Sequence, residues 1–226
     1  MDQNNIIPRF SGNINVQIDD YILNHIDEEG ELLASLNRDA HVNLLRPRML
    51  SGHLQGRFLK MMARIHRPKK VLEIGTYTGY ATLCLAEGLP DDGVIHTIEI
   101  DDELEDFIRK QFDKSSFKDK IHLHTGDALD IIPTLNESFD MVFLDADKRL
   151  YSQYYDLIFD KVNLNGVILA DNTLWDGKVL NEPHPNDKQT IGILEFNKKI
   201  KQDTRIEKVI LPLRDGLTII YKIKNG

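Results

Sequence analysis

The sequence predicts an α/β fold in which a mainly parallel seven-stranded sheet, closed by an antiparallel C-terminal strand, carries helices on both faces. Three observations lead there. From Lys70 onward, short β-branched apolar runs alternate with stretches whose apolar residues recur at helical spacing, the pattern of successive βα units. The last two apolar runs flank an Asp-Gly turn, which tolerates positive φ and reverses the chain. The first five runs each end in or just before an acid, and in a parallel sheet such ends line one edge.

Taken in order, residues 1–66 offer helical patterns at Val16–Glu29, Leu32–Asn43 and Gly52–His66 and no strand pattern. They form an expected N-terminal helical segment on one side of the sheet. The core, 70–226, begins with strands at Val71–Ile74, Val94–Ile100, Ile121–Thr125, Met141–Leu144 and Val167–Ala170. Helices are expected at Ala81–Gly88, Glu103–Phe112, Tyr151–Phe159 and Ile191–Ile200, so four helices serve these five strands. Ile206–Leu211 and Leu217–Ile223 then pair antiparallel. Asp176–Lys188 has two prolines and no sustained period, and reads equally as a lid over a site or as a surface insertion. A chain of 226 residues with no linker-like tract is expected to be a single domain, 1–226.

Composition narrows the function classes. A net charge of −8 repels phosphate backbones unless basic residues gather on one face, which argues against a nucleic-acid partner. No apolar stretch approaches the ~20 residues of a membrane helix. The opening MDQNNIIPRF has no basic segment followed by an apolar one, so the expected location is cytoplasmic. Cys84, a single cysteine among apolar neighbours, reads as a buried structural thiol. His122 and His124 share a strand face without zinc-like spacing to further ligands, and are expected to be solvated on an edge strand.

The acids at the strand ends are Glu73, Glu99, Asp127, Asp145 and Asp171. The first strand-to-helix turn, Glu73-Ile74-Gly75-Thr76-Tyr77-Thr78-Gly79, has two glycines that would let a ligand approach the backbone. Glu99 falls about 20 residues further on, where nucleotide-binding sheets place the acid that accepts from ribose hydroxyls; the alternative is an acid at a helix start. Asp145, Asp171 and Asn172 end neighbouring strands. Three oxygen ligands with open positions suit a hard cation such as Mg²⁺, and separate turn residues are the bland alternative.

These segments resemble the cation-dependent O-methyltransferases, a family that includes catechol O-methyltransferase, plant caffeoyl-CoA O-methyltransferase and bacterial relatives. The resemblance spans about residues 45–225 and rests on Met49-Leu50-Ser51 with Gln55-Gly56, VLEIGTYTGYAT at 71–82, HTIEID at 96–101, FLDADKRLYSQYYD at 143–156, DNTLW at 171–175 and LPLRDGL at 211–217. It implies a Rossmann-like S-adenosylmethionine-dependent methyltransferase fold. The implied cofactors are S-adenosylmethionine and a divalent cation, Mg²⁺ ahead of Mn²⁺ or Ca²⁺. The implied acceptor is a small aromatic molecule with catechol-like vicinal hydroxyls, and the implied assembly is a homodimer.

Carried over by position, the resemblance makes Asp145, Asp171 and Asn172 the metal ligands and Lys148 the group that takes the proton of the reacting hydroxyl. Asp145 is shared between metal, cofactor and catalysis. Glu99 resembles the ribose ligand, and Gly75 with Glu73 the methionine-end pocket. Asp127 and Ala128 match positions beside the adenine, and Met49 and Ser51 a segment closing over the cofactor. Trp175 joins Lys148 on the acceptor side, with core packing as its alternative. Ala81 stands where some relatives have a serine, which passes the cofactor carboxylate to Thr82 or to backbone amides. Arg149 either favours anionic acceptors or is a surface residue. Two rival readings are a methyltransferase of hydroxyuridine in transfer RNA, which would need Arg46, Arg48, Arg57, Arg64, Arg67, Lys69 and Lys70 as a basic groove, and a non-catalytic S-adenosylmethionine-binding module.

Overall fold

The computed structural model describes residues 12–225. The leader reading made on the first ten residues lies outside them. The described chain runs α1 (Gly12–Leu23), α2 (Gly30–Asn43), α3 (Gly52–His66), β1 (Lys70–Ile74), α4 (Tyr80–Gly88), β2 (Val94–Glu99), α5 (Glu105–Asp113), β3 (Ile121–Thr125), α6 (Ala128–Thr134), β4 (Phe139–Leu144), α7 (Tyr151–Phe159), β5 (Val162–Ala170), α8 (Lys188–Gln202), β6 (Ile206–Leu211) and β7 (Leu217–Lys222). The seven strands form one sheet in the order β3-β2-β1-β4-β5-β7-β6. β1 through β5 pair in parallel, while β7 runs antiparallel to both β5 and β6. Strand order reverses between β1 and β4, the place where open α/β sheets receive their ligands.

The period of two in each strand splits the core. Val71, Phe143 and Leu169 face α2 to α5, where Leu36, Leu59, Ala63, Leu85 and Ile108 are buried. Leu72, Val142 and Ile168 face α6 to α8, against Ile132, Tyr155, Ile158, Ile193 and Phe196. α2 and α3 therefore cover one face of the sheet, as their patterns predict, whereas the described part of α1 adds no residue to that core and lies against α3. Cys84 is fully buried in the first cluster, and burial pushes its thiol up to about 12. Among the described residues no helix is long and apolar enough to cross a membrane.

Several expectations need correction. α6 is absent from the expected helices; it is short and contains Pro133, whose missing N–H leaves one helix carbonyl without its intrahelical donor. β5 starts at Val162, five residues ahead of its expected start, because Asn163 and Asn165 interrupt its apolar run. α1 ends at Leu23, and Glu29 stands at the N-cap position of α2. Residues 176–188 are not wholly irregular: short helical turns within Trp175–Leu180 are broken by a kink at Asp176 and Gly177, both in left-handed conformation, and Asp187 caps α8 through Thr190 N. His124 is half-buried, not solvated, because its Nε2 meets His96 Nδ1 at 3.0 Å across β2 and β3.

Candidate active site

Register places the strand ends side by side. Ile74 pairs with Leu144 and Leu144 with Ala170, so Gly75, Asp145 and Asp171 leave β1, β4 and β5 at one level. Gly75 has a φ of +99°, and a Cβ there would lie 2.1 Å from the Asp145 carbonyl oxygen. The missing side chain lets the two turns touch. Gly79 corrects the sequence reading, since a Cβ there would lie 2.4 Å from the Phe112 ring. Its missing side chain makes room for Phe112 of α5.

On the β1–β3 side the acids are held by the chain itself. Glu99 is 7% exposed and accepts from Tyr77 N at 2.6 Å and Asp101 N at 2.9 Å. Each carboxylate oxygen keeps a lone-pair direction for a further donor. The rival role, capping the following helical turn, is filled by Asp101, which accepts from Glu103 N. Glu73 is fully buried; its Oε2 receives the Thr82 hydroxyl and, at 2.6 Å, the Thr97 hydroxyl. Its Oε1 has no partner among the described residues, and burial pushes the carboxyl up to about 8. Thr82 is thus turned toward Glu73 and does not present its hydroxyl to the surface of the turn. Asp127 caps α6 by accepting from Leu129 N at 2.8 Å, and Ala128, buried, opens that helix.

The β4–β5 side is different. Lys148, 7% exposed, donates to Asp145 Oδ1 at 2.7 Å and to the Tyr151 hydroxyl at 2.9 Å. Tyr151 is fully buried, and its hydroxyl lies 3.0 Å from the Asp171 carbonyl and 3.1 Å from that of Leu144. Asp171, 3% exposed, accepts from Asn172 N at 2.8 Å and from Gln55 Nε2 at 2.7 Å. Burial first, and then the charge of Asp145, raise its carboxyl to about 6. Asn172 takes a φ of 58°, a conformation asparagine tolerates well.

This donor set fits a hard divalent cation. Two carboxylates and a carboxamide offer oxygens only, and Lys148 offsets one of two neighbouring negative charges, which leaves the pair short of positive charge. Among the described residues no group of three His, Cys, Asp or Glu side chains gathers as a metal site, so a nitrogen- or sulfur-rich centre has no counterpart here. Ser51 is buried and Met49 is 53% exposed; both precede α3 in the segment that Arg214 reaches from the β6–β7 turn. Trp175 packs partly against the second core cluster with its Nε1 unpartnered among the described residues, and Lys178 stands over its ring. Arg149 pairs with Asp147 at the surface.

Gln55, Thr97, Tyr151 and Arg214 stand inside the motifs without a role that the sequence assigns them; only packing reveals their partners. Three members of the basic cluster have their charge met by acids of the chain, while Arg64 and Arg67 line a shallow cavity with Glu87 and Leu89. Arg57 is buried against Glu87, Lys69 pairs with Asp92, and Lys70 pairs with Glu137 at the opposite end of β1 from the acids.

A family profile described as O-methyltransferase matches residues 24–223. The chain belongs to this family. It is 37% identical over 180 residues to caffeoyl-CoA O-methyltransferase of Eucalyptus gunnii, covering 75% of this chain and 72% of the relative. It is 33% identical over 201 residues to a catechol O-methyltransferase of Niastella koreensis, covering 87% and 90%. Among solved structures, the SAH-bound methyltransferase of Podospora anserina superposes with a TM-score of 0.89 at 28% identity, covering 97% of this chain and 99% of that one. The reaction class is O-methyl transfer, carried on the methyltransferase fold that the motifs imply.

Proposed function

We propose that this O-methyltransferase moves a methyl group from S-adenosylmethionine to one hydroxyl of a small catechol-like acceptor, at a divalent cation held by Asp145, Asp171 and Asn172. The carrying observation is the convergence of Asp145, Asp171 and Lys148 at adjacent strand ends, beside the Gly75 turn. The cation, Mg²⁺ foremost, supplies Lewis acidity and a template for two vicinal oxygens. Lys148 takes the proton of the reacting hydroxyl at Nζ, which Asp145 and Tyr151 hold in place. Glu99 accepts from the ribose hydroxyls with an orientation set by two backbone amides. Gly75 borders the methionine end, and Glu73, whose carboxyl is fixed by Thr82 and Thr97, supports that turn from within the fold. Asp127 and Ala128 border the adenine, Met49 and Ser51 close over the cofactor, and Trp175 flanks the acceptor.

The test is methyl transfer across a panel of catechols, hydroxycinnamates, flavonoids and transfer RNA, with and without chelator. The expected result is turnover of a vicinal-diol acceptor that chelation abolishes and Mg²⁺ restores. Full activity after exhaustive chelation would overturn the cation reading. Methylation of transfer RNA with no small acceptor turned over would overturn the substrate reading.

A further inference from the structure

We infer that Gln55 and Arg214 are positioning residues which tie the segment Pro47–Ser51 to the cation ligand Asp171, an inference that rests on the cation reading above. Arg214 sits in the β6–β7 turn with a φ of 49°, a left-handed conformation that is unfavourable for a non-glycine residue. From there its Nη1 reaches the Leu50 carbonyl at 2.8 Å, the Gln55 side-chain oxygen at 3.2 Å and the Ser51 carbonyl. Gln55, on α3 and 1% exposed, in turn meets Asp171 Oδ2 through Nε2 at 2.7 Å.

The chemistry of the donors fixes the direction of this chain. A guanidinium only donates, so the Gln55 oxygen must face Arg214 and its amino group must face Asp171. No flipped carboxamide satisfies both neighbours. A buried amide with either end unpaired would bear its full desolvation cost, so Gln55 holds one orientation. Asp171 then has one oxygen against the Gln55 amide and the other against the Asn172 backbone amide. Its carboxylate is set in one rotamer by groups that touch no ligand. Because the same Arg214 nitrogen holds the Leu50 and Ser51 carbonyls, order in the segment before α3 and order at Asp171 rise together. Segments around residues 50, 171 and 214, remote in sequence, share one hydrogen-bond network.

The experiment titrates Mn²⁺ into the intact protein, followed by electron paramagnetic resonance of the free ion, for the unsubstituted chain, Asp171→Ala, Gln55→Met and Arg214→Gln. Hydrogen exchange of residues 47–51 is read on the same samples. Gln55→Met keeps the length and removes both hydrogen-bonding ends; Mn²⁺ affinity should fall about 10–100-fold, the usual loss for a group that orients a metal ligand. Arg214→Gln, at the surface, should weaken Mn²⁺ by a smaller factor and speed exchange at 47–51. If Gln55→Met does not fold, Arg214→Gln decides alone. Mn²⁺ binding that is lost in Asp171→Ala but unchanged in the folded Gln55 and Arg214 variants would overturn this inference and leave the cation reading standing. No Mn²⁺ binding by the unsubstituted chain would overturn both.

Discussion

The two halves of the strand-end edge are built on opposite electrostatic plans. On the β1–β3 side each acid is met by neutral donors of the chain: Glu99 by two backbone amides, Asp127 by a helix amide, Glu73 by two hydroxyls. On the β4–β5 side Asp145 and Asp171 raise each other's electrostatic cost, and charge enters directly through Lys148. Neutral donors fix the geometry of Glu99 without neutralising its charge, which suits a rigid receptor for hydroxyls. Like charges held together with one lysine favour whatever brings further positive charge, which suits a cation and a proton-transfer group.

The sharpest way to break this comparison is Lys148→Met, which keeps much of the side-chain length and removes the proton acceptor. Turnover should fall about 10²–10⁴-fold, the range for a lost general base, while calorimetry shows cofactor affinity unchanged. Near-normal rates would place proton transfer elsewhere. A smaller effect is expected at Glu99→Ala. Each charge-assisted hydrogen bond lost is worth roughly 1.5–3 kcal/mol, so cofactor affinity should drop with Mn²⁺ affinity preserved, both read by titration. Unchanged cofactor affinity in a folded variant would remove Glu99 from the ribose site.

Glu73 sharpens the comparison with the smallest effect on activity. Its carboxyl is raised from 4.5 to about 8 in the fold, chiefly by burial, so between those values the folded chain binds more protons than the unfolded one. The Glu73 contribution to the stability of the cofactor-free protein should therefore be constant below about pH 4.5 and decline as pH rises toward 8. Glu73→Gln should flatten that part of the profile in thermal unfolding. A profile identical in both proteins would show that Glu73 ionises freely in the fold.

Much of the fold is legible in the chain because period and punctuation are local. The runs at 71–74, 121–125 and 206–211 and the helices at 52–66 and 151–159 reflect apolar spacing bounded by turn residues. The shortcomings share a cause as well. α6 is short and contains Pro133, and the start of β5 is polar, so neighbours rather than spacing stabilise them. His124 is desolvated by β2, which its own strand does not reveal.

For the site, the sequence by itself determined which residues stand at the strand ends, because a continuous apolar run buried on both faces must stop where a turn begins, and it carried the family motifs on those turns. Strand order and register decided what those residues meet. Asp145 lies beside Asp171 because β4 pairs with β5 in parallel, and Gln55 reaches Asp171 because α3 covers that edge of the sheet. Arg214 closes on Leu50 and Ser51 because β7 returns antiparallel along β5. Contacts between segments this remote depend on the packing of the whole sheet and its helices, and no local pattern in the chain encodes them.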